Sequence, residues 1–226
     1  GPPGPFPAAN LAVAVGRSLL LRQPFEPDAV DDVIMGCVMP SADEVNIARI
    51  AALRLGCGRH VPAWTVQRNC ASGMQALDCA ANNIADGRSE LVLAGGVESM
   101  SHAPLLLQAQ MVAWLAEFNK AKTFGAKAKA VAHLKLKYLQ PIIGLLRGLT
   151  DPVVGLSMGQ TAENLAYRFN ISREQMDEFA MHSHHRLGKA QDEGKLAEVT
   201  PIYAENGTHF TQDDGIRRDS SMEQLA

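Results

Sequence analysis

The sequence has few aromatic residues, no long apolar run and no excess of basic residues, and each shortage excludes a class of protein. Aromatic side chains make up 5% of the 226 residues, and the formal net charge is −3 at pH 7. No run reaches the roughly 18 apolar residues that a membrane-spanning helix needs. Nucleic-acid-binding proteins usually carry a basic excess. The composition therefore indicates a globular, water-soluble protein without a nucleic-acid partner.

Cysteine is also scarce. The sequence has Cys37, Cys57, Cys70 and Cys79, and none of them has a second cysteine at Cys-x-x-Cys spacing. A chain of this length with so few cysteines is predicted to contain neither a disulfide framework nor a structural zinc site. We therefore expect a reducing compartment.

Three histidines, His182, His184 and His185, lie close together, and His182 and His185 share one face of a predicted helix. No aspartate, cysteine or further histidine stands at a spacing that would complete a metal site. The interpretation is a solvated helix flank, and no metal is expected.

The sequence does contain an alternation of predicted helices and strands. Helical spacing of apolar residues covers 11–22, the segment that ends at Gly56, and 72–86, with Gly87 as its C-terminal cap. Strands are predicted at 32–38, 63–67 and 90–96, the last as a continuous apolar strand buried on both faces. Strand, helix and strand within about 30 residues indicate a βαβ unit and a parallel sheet. Two more helices are predicted over 157–168 and 173–192, the second opened by a capping box of Ser172 and Gln175.

Cys70 lies where the strand at 63–67 turns into the helix at 72–86. Unpaired backbone N–H groups and the helix dipole at such a junction favour the thiolate, which is the nucleophilic form. The alternative is a small, buried packing residue near a helix cap. Cys79 lies next to the apolar face of Met74, Leu77 and Ile84, so it is predicted to be an inert core residue.

The wider stretch distinguishes between these alternatives. The segments "NCASGMQA" (69–76) and "AGGVESMS" (94–101) resemble the thiolase family, in which a nucleophilic cysteine precedes a small-Ser-Gly step and a helix. The segments "GLSMGQTAEN" (155–164) and "DDGIRRDSSMEQLA" (213–226) resemble the loop domain of the same family. The matching blocks keep the family's order along the chain.

This resemblance implies an α/β thiolase fold, with a layered parallel or mixed sheet and helices. It also implies two parts: residues 1–104 as an incomplete N-terminal half, and residues 105–226 as an inserted, mostly helical loop domain. It assigns Cys70 as the nucleophile that takes the acyl group. It assigns Met158 and Ser157 to the substrate site and Arg217 to the nucleotide end of coenzyme A.

The sequence also departs from the family. The resemblance implies a second half with a "GHP" histidine, a cysteine followed by x-Gly, and an asparagine that positions the substrate oxygen; none of these is in the sequence. The family's first strand, with an Arg-Thr-Pro sequence, is missing or replaced by the Pro-rich start. We therefore expect the N-terminal half and loop domain of a longer protein, without a complete catalytic site.

The implied activity is that of an acyltransferase, a 3-ketoacyl-CoA thiolase of fatty-acid β-oxidation, with coenzyme A and acyl-CoA as substrates and no cofactor. The resemblance also implies a homo-oligomer (dimer or tetramer), a fatty-acid-oxidation partner subunit, and a bacterial cytoplasm or mitochondrial matrix. The alternatives are a biosynthetic acetoacetyl-CoA thiolase and a non-catalytic scaffold or membrane-docking fragment. A β-ketoacyl synthase is more distant because its cysteine surroundings differ.

The segment 119–150 has no acidic residue, although it contains six lysines and one arginine among apolar side chains. One interpretation is a surface helix with solvated lysines. The other is docking to an anionic membrane surface or to a partner subunit, as in the loop insertion of the thiolase subunits that this segment resembles.

Overall fold

A three-stranded parallel sheet with helices on both faces forms the core of the protein. The computed structural model describes residues 4–226. The strands are β1 (Asp32–Gly36), β2 (Ala63–Val66) and β3 (Val92–Gly96), in the order β2-β1-β3. The helices around them are α1 (Ala8–Leu20), α2 (Ile47–Leu55) and α3 (Ser72–Ala85). The parallel sheet predicted from the βαβ pattern is confirmed.

The central strand β1 determines which helix lies on which face, because successive side chains of a strand point to opposite sides. Val33 and Met35 pack with α1 and α2 in the larger apolar cluster. Ile34 packs on the other side against Ala76 and Ala80 of α3. Every residue of β1 is buried, so this strand is the one covered on both faces.

The prediction that the strand at 90–96 is buried on both faces is therefore wrong. In β3 only Leu93 is buried. The reason is topological, because β3 lies at the edge of the sheet and β1 takes the central position between β2 and β3.

The helix at 72–86 is confirmed, but its large apolar side chains do not face the sheet. Met74 is 70% exposed, and Leu77 and Ile84 are also exposed, while the buried residues of α3 are Ser72, Ala76 and Ala80. A helix that packs closely on a sheet needs small residues at the contact, and these occupy the inner face. Cys79 is half-buried rather than fully in the core, and it packs beside the Ile34 cluster.

The first helix shows the same effect. It starts at Ala8, three residues before the predicted start, and it buries Ala8, Ala12 and Gly16 against α2 rather than the face with Leu11, Val15 and Leu19. A Cβ on Gly16 would lie 2.7 Å from a methyl group of Leu55. Small residues thus set the distance between α1 and α2.

The rest of the chain is mostly helical. Its helices are α4 (Ala109–Lys120), α5 (Phe124–Ala132), α6 (Gly144–Gly148), α7 (Met158–Phe169), α8 (Arg173–Asp192) and α9 (Met222–Leu225). Its short strands are β4 (Leu105–Leu106) with β5 (Ile142–Ile143), and β6 (Ile202–Tyr203) with β7 (His209–Phe210), both antiparallel pairs. Short 3-10 helices cover Pro27–Ala29, Ala42–Glu44, Met100–His102 and Leu136–Leu139. Within residues 4–226, no helix has the length and apolar character needed to cross a membrane.

The predicted starts of the two long helices in this region are confirmed to within one residue. Ser172 and Gln175 form the predicted capping box at the start of α8, and Ser157 and Gln160 form a second one at the start of α7. Each box satisfies backbone N–H groups that the helix itself cannot pair.

Candidate active site

The candidate site lies at the carboxyl edge of the sheet, where the loops that follow the three parallel strands come together. Cys37 to Met39 follow β1, Asn69 and Cys70 follow β2, and Glu98 follows β3 by two residues. Ligands of open parallel sheets bind at this edge, outside the carboxyl ends of the strands. The order β2-β1-β3 places the β1 loop between the other two.

A tight turn presents Cys70 between β2 and α3. The hydroxyl of Ser72 donates to the carbonyl oxygen of Asn69 at 2.6 Å and accepts the backbone N–H of Arg68 at 2.8 Å. Asn69 has a φ of 47°, in the left-handed region that asparagine tolerates better than most residues. Cys70 itself is exposed and lies two residues before the first residue of α3. The buried hydroxyl of Ser72 therefore fixes the turn that exposes the thiol.

Glycines let the start of α3 come close to the ends of β1 and β3. A Cβ on Gly36 would lie 2.3 Å from the carbonyl carbon of Ser72, and one on Gly96 would lie 3.0 Å from the Cα of Gly73. The residues that follow Cys70 are small, which lets a ligand and a facing backbone come close. Ser72 and Gly73 thus make a backbone-to-backbone contact between helix and sheet.

Cys70 and Met158 line the same cavity, which has a volume of about 560 Å³. One wall is formed by the loops at the edge of the sheet, and the other by the segment from α6 to the start of α7. The lining residues of that second wall are Leu145, Gly148, Leu149, Thr150, Asp151, Pro152 and Met158. Volumes of about 300–1,000 Å³ are typical of small-molecule sites.

Hydrogen bonds hold this second wall in shape. The backbone N–H of Met158 donates to the carbonyl oxygen of Leu149 at 3.1 Å, and that of Asp151 donates to Leu156 at 2.8 Å. The Oδ1 atom of Asp151 accepts the backbone N–H of Val153 at 2.7 Å. The first residue of α7 is thereby tied to the segment that closes the cavity.

Glu98 is the charged residue of the cavity wall at the sheet edge. Its Oε2 accepts the backbone N–H of Val38 at 2.8 Å, and its Oε1 accepts that of Met39 at 3.2 Å and the thiol of Cys37 at 3.5 Å. Burial and the neighbouring Glu98 carboxylate raise the pKa of the Cys37 thiol from 9.0 to about 12. Cys37 is therefore a neutral thiol at physiological pH, whereas Cys70 is the exposed cysteine of the cavity.

Two predicted substrate residues do not line this cavity. The Ser157 hydroxyl accepts the backbone N–H of Gln160 at 3.3 Å as the N-cap of α7. Arg217 is exposed, and its backbone N–H donates to Nδ1 of His184 at 3.2 Å. The structure thus brings Cys70 and Met158 together, with Ser157 adjacent in sequence and Arg217 on another part of the surface.

Of the three histidines, His182 and His185 are exposed, as a solvated flank predicts, and His184 is half-buried. His184 bonds the backbone of Arg217, and Nε2 of His185 lies 2.9 Å from the carbonyl oxygen of Ser220, so both bind the C-terminal segment to α8. His182 is exposed beside Glu178. Across residues 4–226, no three His, Cys, Asp or Glu side chains are grouped to hold a metal ion.

The chain also matches a known protein family over nearly its whole length. The model of the thiolase N-terminal domain matches residues 5–226. The chain belongs to the thiolase family. Its similar relatives include the mitochondrial trifunctional enzyme subunit beta of Bos taurus, 39% identical over 96% of this chain and 45% of the relative. They also include the 3-ketoacyl-CoA thiolase of Yersinia enterocolitica, 33% identical over 97% of this chain and 50% of the relative.

Solved structures confirm the predicted thiolase fold. The human mitochondrial 3-ketoacyl-CoA thiolase in complex with CoA is similar with a TM-score of 0.79 at 34% identity, over 97% of this chain and 51% of that one. The Bacillus anthracis acetyl-CoA acetyltransferase is similar with a TM-score of 0.80 at 34% identity, over 96% and 51%. This thiolase-family chain spans about half the length of the relatives it matches.

Sequence interpretation missed Glu98, Cys37 and the α6 side of the cavity. A signal for Glu98 was present, because a carboxylate two residues after a parallel strand lies at the ligand-binding edge of the sheet. No pattern in the sequence indicates which part of the basic segment 119–150 approaches Cys70. That contact depends on how the chain folds back through β4 and β5.

Proposed function

We propose that the protein acts as a 3-ketoacyl-CoA thiolase, an acyltransferase that cleaves 3-ketoacyl-CoA with coenzyme A. The observation that carries the proposal is the exposed thiol of Cys70 at the wall of a cavity of about 560 Å³ with a largely apolar lining. The printed names of its relatives, among them 3-ketoacyl-CoA thiolase and a thiolase in complex with CoA, support the same activity.

The proposed reaction has two steps through a thioester on Cys70. The thiolate sulfur bonds to the 3-keto carbon of the substrate, and the bond between C2 and C3 breaks with its electron pair moving to C2. Protonation of C2 releases acetyl-CoA and leaves the shortened acyl group on the sulfur. The thiolate of a second coenzyme A then bonds to the acyl carbon, and Cys70 leaves as a thiolate. A covalent intermediate thus divides one difficult cleavage into two easier steps.

Both steps need proton transfer. Among the cavity residues that the structure describes there is no histidine, and the carboxylate of Glu98 already accepts two backbone N–H groups. The family resemblance supplies the missing groups as a "GHP" histidine and a second cysteine. The resemblance implies that these lie in a second half, which is not part of this sequence. Glu98 is therefore not the proposed base.

The remaining site residues take roles that follow from their positions. Met158 contacts the acyl group from the α7 side of the cavity, and Ser157 keeps Met158 in place by capping α7. Arg217 contacts the nucleotide end of coenzyme A, and its exposure supports such a role. The division into an N-terminal part, 1–104, and a loop domain, 105–226, is part of this proposal, with the cavity between residues of both.

The length of the acyl group is proposed to be medium or long. The segment of the cavity wall from α6 contributes Leu145 and Leu149, which suit an alkyl chain. The same apolar residues favour thiolysis of a longer substrate over the condensation of two acetyl groups, because acetyl groups have no alkyl chain to contact them. Steady-state rates of thiolysis against acyl-chain length separate the two, because a biosynthetic enzyme is fastest with acetoacetyl-CoA.

Mass spectrometry of the full-length protein after incubation with 3-ketoacyl-CoA tests the proposal. We expect one acyl group on the peptide that contains Cys70 and none after Cys70→Ala. Cys79→Ala is the matched control, because Cys79 lies nine residues further on in α3 and is half-buried. No adduct on the unaltered protein contradicts the thiolase proposal and favours a non-catalytic scaffold.

A second proposed function is peripheral contact with an anionic membrane surface through the segment 119–150. Phe124 at the start of α5 is 90% exposed and Leu136 is 84% exposed, among exposed lysines. Exposed apolar side chains flanked by basic ones suit the boundary between lipid headgroups and acyl chains. We expect anionic vesicles to bind the protein, and binding to be lost on charge reversal of Lys127, Lys129, Lys135 and Lys137; unchanged binding contradicts this.

Assembly with other protein subunits is also proposed, from the names of relatives and from an exposed apolar surface. The names of several relatives describe the beta subunit of a trifunctional enzyme, which supports a fatty-acid-oxidation partner subunit. A homo-oligomer, dimer or tetramer, is also proposed. The exposed apolar face of α3, with Met74, Leu77 and Ile84, is a surface that a second subunit could bury in an oligomer. Light scattering of the purified protein gives the oligomeric state.

A further inference from the structure

In the loop after β1, side-chain hydrogen bonds replace the strand hydrogen bonds from Val38 onwards. The backbone N–H of Cys37 still donates to the carbonyl oxygen of Val66 in β2, at 3.2 Å. Beyond it, the N–H groups of Val38 and Met39 donate to the two carboxylate oxygens of Glu98 instead. Two consecutive N–H groups on one carboxylate hold a short segment of backbone in a single geometry, because hydrogen bonds to a charged acceptor are stronger than neutral ones.

This segment is also linked to the opposite wall of the cavity. Cys37, Val38 and Met39 line the cavity together with Cys70. The side chain of Met39 reaches α6, where a Cβ on Gly148 would lie 2.4 Å from its terminal methyl group. A shift of the β1 loop would therefore change the distance between the two walls that face the acyl group.

We propose that Glu98 is a positioning residue, which holds the Val38–Met39 backbone in the sheet-edge wall of the acyl cavity, the same wall that carries the Cys70 turn. This role rests on the proposed thiolase function and adds a residue to it. Glu98 bonds the Val38–Met39 loop and not the Cys70 turn, since the turn is held by Ser72. Its loss should therefore disturb acylation by the substrate but leave the thiol itself equally available.

Glu98→Gln is the informative change because it keeps the shape of the side chain. A glutamine has one acceptor oxygen, and its NH₂ group is a donor. It can satisfy only one of the two N–H groups and places a donor against the other. Glu98→Asp keeps both acceptor oxygens on a shorter side chain. It should therefore retain part of the hydrogen bonding to Val38 and Met39 that Glu98→Gln loses. Glu90→Gln is the matched control, because Glu90 precedes β3, is exposed and lies at the opposite end of the strand.

The first measurement is hydrogen exchange of the backbone amides, which does not depend on activity. In the full-length protein, Glu98→Gln should increase the exchange of Val38 and Met39 about tenfold. Exchange of the α3 amides should stay the same, and Glu90→Gln should change neither. Unchanged exchange at Val38 and Met39 in both Glu98→Gln and Glu98→Asp overturns the proposal. If Glu98→Gln does not fold, Glu98→Asp carries the measurement.

The second measurement compares two reagents at Cys70. Acylation by 3-ketoacyl-CoA should slow by roughly 10- to 100-fold in Glu98→Gln, the size of effect that misplaced reacting groups produce. Alkylation of Cys70 by iodoacetamide, which is too small to need the wall, should keep its rate. Equal losses with both reagents, or no loss of acylation, overturn the positioning role. If the unaltered protein is not acylated, the thiolase function fails and this role fails with it, a result distinct from a defect in the variants alone.

Discussion

Gly36 at the end of β1 packs directly against the backbone of Ser72 at the start of α3. A Cβ on Gly36 would lie 2.3 Å from the carbonyl carbon of Ser72. No rotation of a side chain can relieve a contact between a Cβ and a backbone atom. The start of α3, and with it the Cys70 turn, can therefore take its position only because residue 36 has no side chain.

Gly36→Ala should move the start of α3 and lower the free energy of unfolding by about 1–3 kcal/mol, the usual cost of overpacking a core. Gly95→Ala is the matched control, since the nearest atom to its Cβ is the sulfur of Met35 at 3.8 Å, an ordinary contact. Urea unfolding of both variants measures the difference. Equal stability of the two variants would contradict the assigned contact.

Gly148→Ala should narrow the cavity beside Cys70 with little loss of stability. Its Cβ would meet the terminal methyl group of Met39, which is the flexible end of a side chain and can turn away. We expect KM to rise more for long than for short 3-ketoacyl-CoA substrates. Met39→Ala combined with Gly148→Ala should recover the KM for long substrates, and a KM change independent of chain length would argue against this geometry.

Cysteine reactivity should differ sharply between the two thiols of the cavity. Iodoacetamide should modify exposed Cys70 at pH 8 and leave Cys37, whose pKa is raised to about 12 by burial and by Glu98. Peptide mapping by mass spectrometry reports each site, and the denatured chain, in which all four cysteines should react, is the control. Labelling of Cys37 ahead of Cys70 in the folded protein would refute the assignment.

The same raised pKa predicts a loss of stability at alkaline pH. The folded state holds the proton of Cys37 more tightly than the unfolded chain, whose thiol has its ordinary pKa of 9.0. This contribution is complete below pH 9 and is lost as the pH rises towards about 12. The free energy of unfolding should fall less steeply over this range in Cys37→Ala, and equal slopes would contradict the prediction.

Acid should weaken a different contact, at the opposite end of the sheet. The Oδ2 atom of Asp31 accepts the backbone N–H groups of Leu91 and Glu90, and these bonds lower the pKa of its carboxyl below 3.8. A lowered folded-state pKa contributes stability above pH 3.8 that is lost as the pH falls through the folded value. Asp31→Asn should destabilise the protein at pH 7, and the difference should shrink as the pH drops below 3.8.

Unfolding curves of Asp31→Asn at several pH values measure this difference. The matched control is Asp28→Asn, which changes an exposed aspartate three residues earlier. A pH-independent difference between Asp31→Asn and the unaltered protein would mean that the carboxyl contributes no titrating hydrogen bond.

Ser157 and Ser172 offer a comparison of two identical caps at different distances from the cavity. Replacement of either by alanine should lower the free energy of unfolding by about 1 kcal/mol, the usual value of an N-cap. Only Ser157→Ala should also raise KM, because the next residue, Met158, lines the cavity. Equal KM values in both variants would show that Ser157 has no part in substrate binding.

The sequence predicted the three strands and three helices of the parallel sheet and the two long helices α7 and α8, because their signals are local. The periodicity of apolar residues, the cap at Gly56 and the capping box at Ser172 each depend on residues within one or two turns. The buried faces of α1 and α3 were harder to predict. Close packing selects alanine and glycine there and leaves larger apolar residues such as Met74 outside.

For the site, the motif around Cys70 together with the later matching segments, in the family's order, identified the candidate nucleophile and the family. Its surroundings were not predictable, because Glu98, Met39 and Gly148 meet only when three parallel strands end at one edge and the chain returns over them. The predicted elements and the candidate thiol could be identified from the sequence, because each depends on residues that are neighbours in the chain. The tertiary structure alone decided which strand is central, which helix face is buried and which residues enclose the cavity, since those depend on contacts between residues far apart in the chain.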